Sequence, residues 1–377
     1  MFEVNVIEDL EGVSALAHEW GNLVGESVVD QVYGAPWVFS RPEWHLPWME
    51  ARASSCRPMV ATARTEGRLA GLLPMSRTRG RSVDFFSTYL EPMTGYCADY
   101  QVPILAKGRE SALEPMLAAL FERASGQVLV WRNLPLTHPA AQTVQRYISA
   151  RGWPMVAKES VCPYLRLPDS YAKAEELWSA KLRQDIRRRR RQLDGRLSLE
   201  VIERRQDVSG WLEELFATHR NKWHAESQPS EFANLSHQKY YRGMARSLWG
   251  KGLHLSSLCI DGRRVSYHLG FLSEGWLYYY KTAYHKEYSY MSPTKLHVSM
   301  LMELGCASGW QGFDFLQGDE PYKLSWTKQH IRCLNLVAGV GGGGLKFSWH
   351  AYWRGQAKAT LGSAVNTLKR MRQRRVA

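Results

Sequence analysis

Nowhere does the 377-residue chain reach eighteen consecutive apolar residues, so no segment reads as a membrane-spanning helix. The first ten residues carry Glu3, Glu8 and Asp9 and lack the basic start and apolar core of an export signal, so a cytoplasmic protein is expected. Cysteine is sparse. The six (Cys56, Cys97, Cys162, Cys259, Cys306, Cys333) form no C-x-x-C pair, which argues against a zinc ribbon or a redox dithiol and points to small buried residues in a reducing compartment. The twelve histidines are scattered, and no metal site is expected. G-x-S-x-G, the Walker loop and H-E-x-x-H are missing, which removes the serine-hydrolase elbow, the P-loop NTPase and the zincin. Gly341–Gly344 lacks the following Lys-Ser/Thr of a phosphate loop and reads as a flexible hinge.

What is present is an ordinary globular composition, 45% hydrophobic and 23% charged, with a net charge of +13. The length suits two domains. The basic excess is local. Lys181–Arg196 holds eight basic residues against two acidic ones, and Lys346–Ala377 holds eight against none. These two segments account for the whole excess, so the body of the chain is near neutral.

Periodicity predicts helices over Val13–Leu23, Ser111–Ala124, Ala174–Leu193, Trp211–Trp223 and Pro293–Ala307. It predicts strands over Pro58–Ala63, Leu69–Met75, Val128–Trp131, Leu253–Ile260, Arg264–Leu272, Trp276–Thr282 and Gly312–Leu316. On the Ala174–Leu193 helix, Trp178, Leu182, Ile186 and Leu193 define the buried face and leave Arg187–Arg191 largely solvated. Glu66-Gly67-Arg68 and Asp261-Gly262-Arg263 sit in the turns of two predicted hairpins 195 residues apart, each preceded by a helix and followed by more strand. The echo predicts a tandem arrangement: a first domain over 1–165, a second over 166–344, and a basic helical tail over 345–377. In the tail, Trp353, Ala357, Leu361, Val365 and Leu368 share one face, and its basic polar face suits an anionic lipid surface.

Chemistry concentrates between Tyr278 and Lys323. Ser292-Pro293-Thr294 is a strong helix start, with serine available to cap free N–H groups and proline suited to the first helical position. A strand feeding a helix N-terminus favours an anion, and Lys295 adds a positive charge. Tyr284 borders this turn and is assigned with Ser292, Thr294 and Lys295 to the donor, while Tyr280 is assigned to the acceptor. Next, the strand Phe313–Leu316 ends in Gly318-Asp319-Glu320-Pro321-Tyr322-Lys323. Two carboxylates, a tyrosine and a lysine at a strand end suit acid–base work: Asp319 or Glu320 taking a proton from an amine, with Tyr322 beside them and Lys323 stabilising an oxyanion.

Three stretches carry a resemblance: "PWVFSRPEWHLPWMEA…RPMVATARTEGRLAGLLPM", "LRQDIRRRRRQL", and "YYYKTAYHKEYSYMSPTKLHVSMLMELGCASGWQGFDFLQGDEPYKLSW". From about Trp37 to Trp326 the chain resembles the Fem-type acyltransferases and the CelD-like bacterial GNAT group. The most specific elements are S-P-x-x-L on a helix and F-D-F-L-x-G-x-E-x-Y-K. The resemblance implies an α/β fold of two tandem GNAT-like domains, mixed twisted sheets flanked by helices with a cleft between them. It also implies acyl transfer to an amine without a covalent enzyme intermediate. By the same resemblance Lys323 contacts the reacting acyl group, Ser292–Lys295 faces the donor, and Asp99 of "CADYQVPIL" reaches the acceptor. The co-substrate it implies is acyl-CoA, an acyl-carrier protein thioester or aminoacyl-tRNA. In the tRNA alternative Arg187, Arg188 and Arg191 bind phosphates. A further alternative is a non-catalytic adaptor at a membrane surface, held there by the tail. The sequence departs from the group in one respect: the turn His285–Thr294 holds no glycine, so the usual pyrophosphate loop is missing.

Overall fold

A computed structural model describes residues 1–35, 37–79, 88–341 and 343 of the chain. The predicted tail and two of the four residues of the glycine run lie outside the described residues.

The first part of the chain opens with β1 (Glu3–Ile7) and the helices α1 (Leu10–Ala15) and α2 (Ala17–Glu26), which replace one expected helix with two meeting at Leu16. After α3 (Pro42–Arg52) come β2 (Cys56–Thr65) and β3 (Arg68–Arg79), joined by Glu66 and Gly67 at φ +52° and +75°. Two left-handed residues make the tight turn whose twist matches a hairpin. β4 (Thr88–Pro92), β5 (Ile104–Leu105), α4 (Leu113–Arg123), β6 (Val128–Pro135), α5 (Ala140–Ser149) and β7 (Met155–Arg166) follow.

The second part begins with α6 (Tyr171–Glu176) and α7 (Ala180–Gln192). The sequence predicts one helix here. The helix breaks because Ser179 is extended and its side chain caps the Leu182 N–H, starting α7 afresh. β8 (Leu197–Val201), α8 (Val208–Ala225) and α9 (Leu235–Leu248) lead to β9 (Leu253–Ile260) and β10 (Arg263–Ser273). Asp261 and Gly262, at φ +51° and +75°, repeat the turn of the first hairpin. β11 (Trp276–Tyr284), α10 (Pro293–Ala307), β12 (Gly312–Asp314), the single-turn α11 (Pro321–Leu324) and β13 (His330–Gly339) complete the described chain.

Among the described residues the strands form one mixed sheet, in the order β1-β2-β3-β4-β6-β13-β7-β12-β11-β10-β9-β8 with β5 on β3. β7 is the seam. Its residues 155–163 pair with β13 and its last three with β12. β13 lies between β6 and β7, so the last strand of the second part completes the sheet of the first. Helices flank the sheet, and an aromatic core joins the two parts. Trp44 of α3 meets Phe271 of β10 edge-on at 4.9 Å, and Phe39 approaches Tyr280 at 6.0 Å. At the crossing of α3 with α9, a Cβ on Gly243 would lie 3.0 Å from the Pro47 ring.

Two places in the sheet hold short parallel pairs. β4 and β6 pair only at Tyr89–Val128 and Leu90–Leu129, and β11 and β12 only at Trp276–Gly312, Leu277–Phe313 and Tyr278–Asp314. Beyond each pair the strands part and leave a notch. The first notch is filled by the segment from Thr94 to Val102. Gln101 donates its backbone N–H to Asn133 and accepts at its side-chain oxygen from the Arg132 N–H at 3.2 Å, while the Trp131 indole donates to the Gln101 carbonyl at 2.8 Å. The cavity left there is about 10 Å3, room for about one water. Among the described residues no segment hydrogen-bonds into the second notch in this way.

Candidate active site

Past Tyr278, β11 runs on to Tyr284 beside β10, while β12 ends at Asp314. The strand edge facing the gap therefore carries backbone groups with no strand partner among the described residues, open to a ligand. The chain leaving β12 turns sharply at Leu316 (φ +60°) and Gly318 (φ +119°). A left-handed leucine costs about 1–3 kcal/mol, and such strain collects at functional sites. The Asp314 carboxylate offsets it by accepting the Leu316 N–H at 2.7 Å.

This turn seats Lys323. Its side chain is 6% exposed, and its ammonium donates to the carbonyls of Gln317 and Leu316 and pairs with Glu320 at 3.0 Å. Glu320 is half exposed and can swing away, freeing one N–H of the ammonium. Asp319 is exposed. Tyr322 keeps about 40% of its surface exposed on α11, and the partial burial of the rest, with the charge of Glu320, holds its phenol above the ordinary range. Of the four residues expected at this strand end, only Lys323 is buried.

Asp99, in the segment that plugs the first notch, lies within electrostatic reach of Lys323. Burial pushes its carboxyl up to about 6, against the pull of Lys281 and Lys323 and with the push of Glu231 and Glu320. No hydrogen bond to its side chain occurs among the described residues. Behind it, Lys281 and Glu231 pair at 3.0 Å. Burial would lift the Glu231 carboxyl and lower the Lys281 ammonium, but their attraction outweighs both effects and keeps them ionised. Tyr280 donates to the Cys97 carbonyl at 2.6 Å and shares a 2.9 Å hydrogen bond with Tyr241, fixing the segment beside Asp99. The sequence reading missed Lys281 and Glu231. A lysine inside the aromatic run Tyr278–Tyr284 was a usable signal, whereas nothing in the sequence marks Glu231.

A groove of about 400 Å3 lies between α7 and the start of α10, the helix that β11 feeds, lined by Lys181, Leu182, Asp185, Arg188, Lys295 and Ser325 among others. These walls follow from the topology, since β11 feeds α10 and β12 feeds α11. Lys295 pairs with Asp185 at 3.0 Å, and burial is outweighed at Asp185 by Arg188, Lys295 and Arg189, which hold its carboxyl down to about 2. Ser292 does not cap α10 with its side chain. It is itself left-handed (φ +52°) rather than extended as a capping serine is, and Thr294 follows it on the first turn. Tyr284 lies against Lys222 of α8, 4.9 Å from ammonium to ring. Of the four expected donor residues, Lys295 alone lines the groove.

The arginine run is less bare than expected. Arg187 pairs with Glu175, Arg188 and Arg189 with Asp185, and Arg190 with Glu303, while Lys181 and Arg191 have no ion pair among the described residues. Arg183, Arg187, Arg190 and Arg191 wall a second groove on the other side of α7. Among the described residues no cluster of three ligating side chains could hold a metal, and no helix is long and apolar enough to cross a membrane.

Residues 180–324, from α7 through α11, match the model of the GNAT acetyltransferase domain. No curated protein matches the sequence. Among solved structures the chain is similar to FemX (TM-score 0.59, 10% identity, covering 86% of this chain and 96% of that one). It is similar also to the C-terminal domain of a putative lysylphosphatidylglycerol synthetase from Agrobacterium fabrum (TM-score 0.54, 12% identity, 89% and 95% covered). A third is a conserved protein of unknown function from Bacteroides thetaiotaomicron (TM-score 0.53, 11% identity, 90% and 99% covered). At such identities these likenesses show the fold.

Proposed function

We propose that this chain, an acyltransferase whose residues 180–324 are a GNAT domain within a FemX-like fold, moves an acyl group from a phosphate-bearing thioester to an amine. The observation that carries the reading is the parting of β11 and β12, together with a cationic groove between the helices α7 and α10 and the electrostatic reach of Lys323 to Asp99. In this reading the second half, 166–344, holds the donor, and the first half, 1–165, brings Asp99 to the acceptor. Donor phosphates lie against Lys181, Arg188 and Lys295. The thioester reaches into the notch, where the free edge of β11 holds it. The amine attacks the thioester carbon, Asp99 takes the proton the nitrogen loses, and the oxyanion gains a hydrogen bond from Lys323 as Glu320 moves off. The thiolate then leaves and takes up a proton. Plugging of the first notch by Thr94–Val102 supports a single donor site.

Acetyl-CoA is the first probe. At about 100 times its Kd, a ligand bound only by the native state adds about 2.7 kcal/mol of stability and raises Tm. In Lys181→Ala/Arg188→Ala the Kd measured by calorimetry weakens by about 100-fold or more, since each of the two lost hydrogen bonds to a charged phosphate is worth about 1.5 kcal/mol or more. Asp185 keeps Arg189 and Lys295 as partners, so the variant stays folded. Unchanged affinity in the folded double variant contradicts the groove assignment.

A second reading has its own observation in the groove of Arg183, Arg187, Arg190 and Arg191. Cationic grooves on both sides of α7 suit a donor with phosphates beyond one nucleotide, as in aminoacyl-tRNA. No response to acetyl-CoA, with salt-sensitive binding of charged tRNA, selects it. The membrane-adaptor alternative rested on the tail, which lies outside the described residues.

A further inference from the structure

The Asp314 carboxylate belongs to neither groove, yet both halves of the site converge on it. It is fully buried at the last residue of β12, where β11 and β12 part. One oxygen accepts the Tyr33 hydroxyl at 2.6 Å and the Tyr100 hydroxyl at 2.9 Å, and the other accepts the Leu316 N–H. Tyr100 follows Asp99 in the chain. Tyr33 is held by the turn that Asp30 forms in accepting the N–H groups of Val32 and Tyr33 at 2.7 and 2.9 Å. Leu316 starts the turn whose carbonyls seat Lys323.

We propose that Asp314 is a positioning residue, a tether whose ionised carboxylate fixes the separation between Asp99 on the first half and Lys323 on the second. This rests on the acyl-transfer reading above. The groups facing Asp314 are Tyr33 and Asp30 on one loop, Asp99 and Tyr100 on another, Tyr278 on β11, Tyr164 and Cys162 on β7 and Cys333 on β13. Arg166, on the same strand as Tyr164, lies over the Trp276 ring, and Arg41 acts on Tyr278. Burial lifts the Asp314 carboxyl to about 7, against the hydrogen bonds from Tyr33, Leu316 and Tyr100 and with a push from Asp99. Charged, it accepts three hydrogen bonds. Once protonated it must itself donate from one oxygen, and a tyrosine hydroxyl has to turn away. The tether therefore tightens as pH rises through about 7.

The test uses the full chain and the variants Asp314→Asn and Tyr100→Phe. Tyrosine ultraviolet difference spectra, recorded without substrate, show a one-proton step near pH 7 in the native protein, absent in Asp314→Asn. In Tyr100→Phe the step moves to higher pH, because the charged form has lost a donor. In acetyl transfer from acetyl-CoA to the best amine of an amino-sugar and diamine panel, Asp314→Asn lowers kcat at pH 8 by about 10-fold or more, the scale on which misplacement of reacting groups acts. The KM for acetyl-CoA stays within about twofold, as the groove walls are untouched. A step that persists in Asp314→Asn, or full kcat in that folded variant, overturns the proposal. Should Asp314→Asn fail to fold, an unmoved step in Tyr100→Phe overturns it equally. A native protein that binds and transfers no acyl group, yet shows a step that Asp314→Asn abolishes, faults the acyltransferase reading and leaves the hydrogen-bonded tether standing.

Discussion

Replacing Lys323 by alanine lowers the turnover of acyl transfer by at least about 100-fold, the effect of removing one oxyanion donor. The ammonium is the one buried cation on the turn that leaves the second notch, and its fixed seat on the Gln317 and Leu316 carbonyls means that it does not reorganise during reaction. The same seat implies a structural cost. Two carbonyls and Glu320 lose a partner in Lys323→Ala, so Tm falls, and Lys323→Met, which keeps the aliphatic stem, separates packing from charge. Glu320→Gln leaves the ammonium in place and keeps activity within a few-fold. Steady-state rates alongside thermal melts decide the matter. A folded Lys323→Met variant with native turnover removes the lysine from the chemistry.

Asp99→Asn lowers kcat/KM by about 100- to 10,000-fold, the range of a lost general base. The sign of the pH dependence follows from its environment. Burial raises the carboxyl to about 6, and the base works only when ionised, so activity is lost as pH falls below about 6 and levels off above it. The variant loses that limb. Lys281→Met, which removes a cation opposing the rise, moves the limb to higher pH. Rate profiles between pH 5 and 9 read all three. A limb unchanged in Asp99→Asn transfers the base role elsewhere, with Glu320 the next carboxylate to examine.

Local chemistry made some of this architecture legible and long-range pairing hid the rest. β9 and α10 match their expected bounds residue for residue, because an apolar run and a Ser-Pro start are local signals. Both acidic-glycine turns were readable for the same reason, and each holds two left-handed residues. β13 was not expected, because its partners β6 and β7 lie far back in the chain, although His330–Cys333 alternates as a strand does. β7 was missed where it runs through the expected domain boundary near Pro163.

In the candidate site the resemblance brought Lys323 and Asp99 forward together. The structure adds that the Thr94–Val102 segment, tied to β6 through Gln101, holds Asp99 within electrostatic reach of Lys323. Asp319 looked equivalent to Glu320 in sequence, but among the described residues only Glu320 pairs with the lysine, three residues before it at the N-terminal boundary of α11. Asp314 looked like a core residue of an aromatic strand, and its role depends on Tyr33 and Tyr100, more than 200 positions away.

The most direct measurement is the structure of the chain with a thioether analogue of acetyl-CoA, whose ketone cannot be transferred. The account predicts one analogue per chain, its phosphates against Lys181, Arg188 and Lys295 in the groove between α7 and α10. Its thioether should thread the gap between β11 and β12, and its ketone oxygen should lie within hydrogen-bond reach of the Lys323 ammonium. An analogue bound in the first half, or bound away from the gap with Lys323 uninvolved, would contradict it.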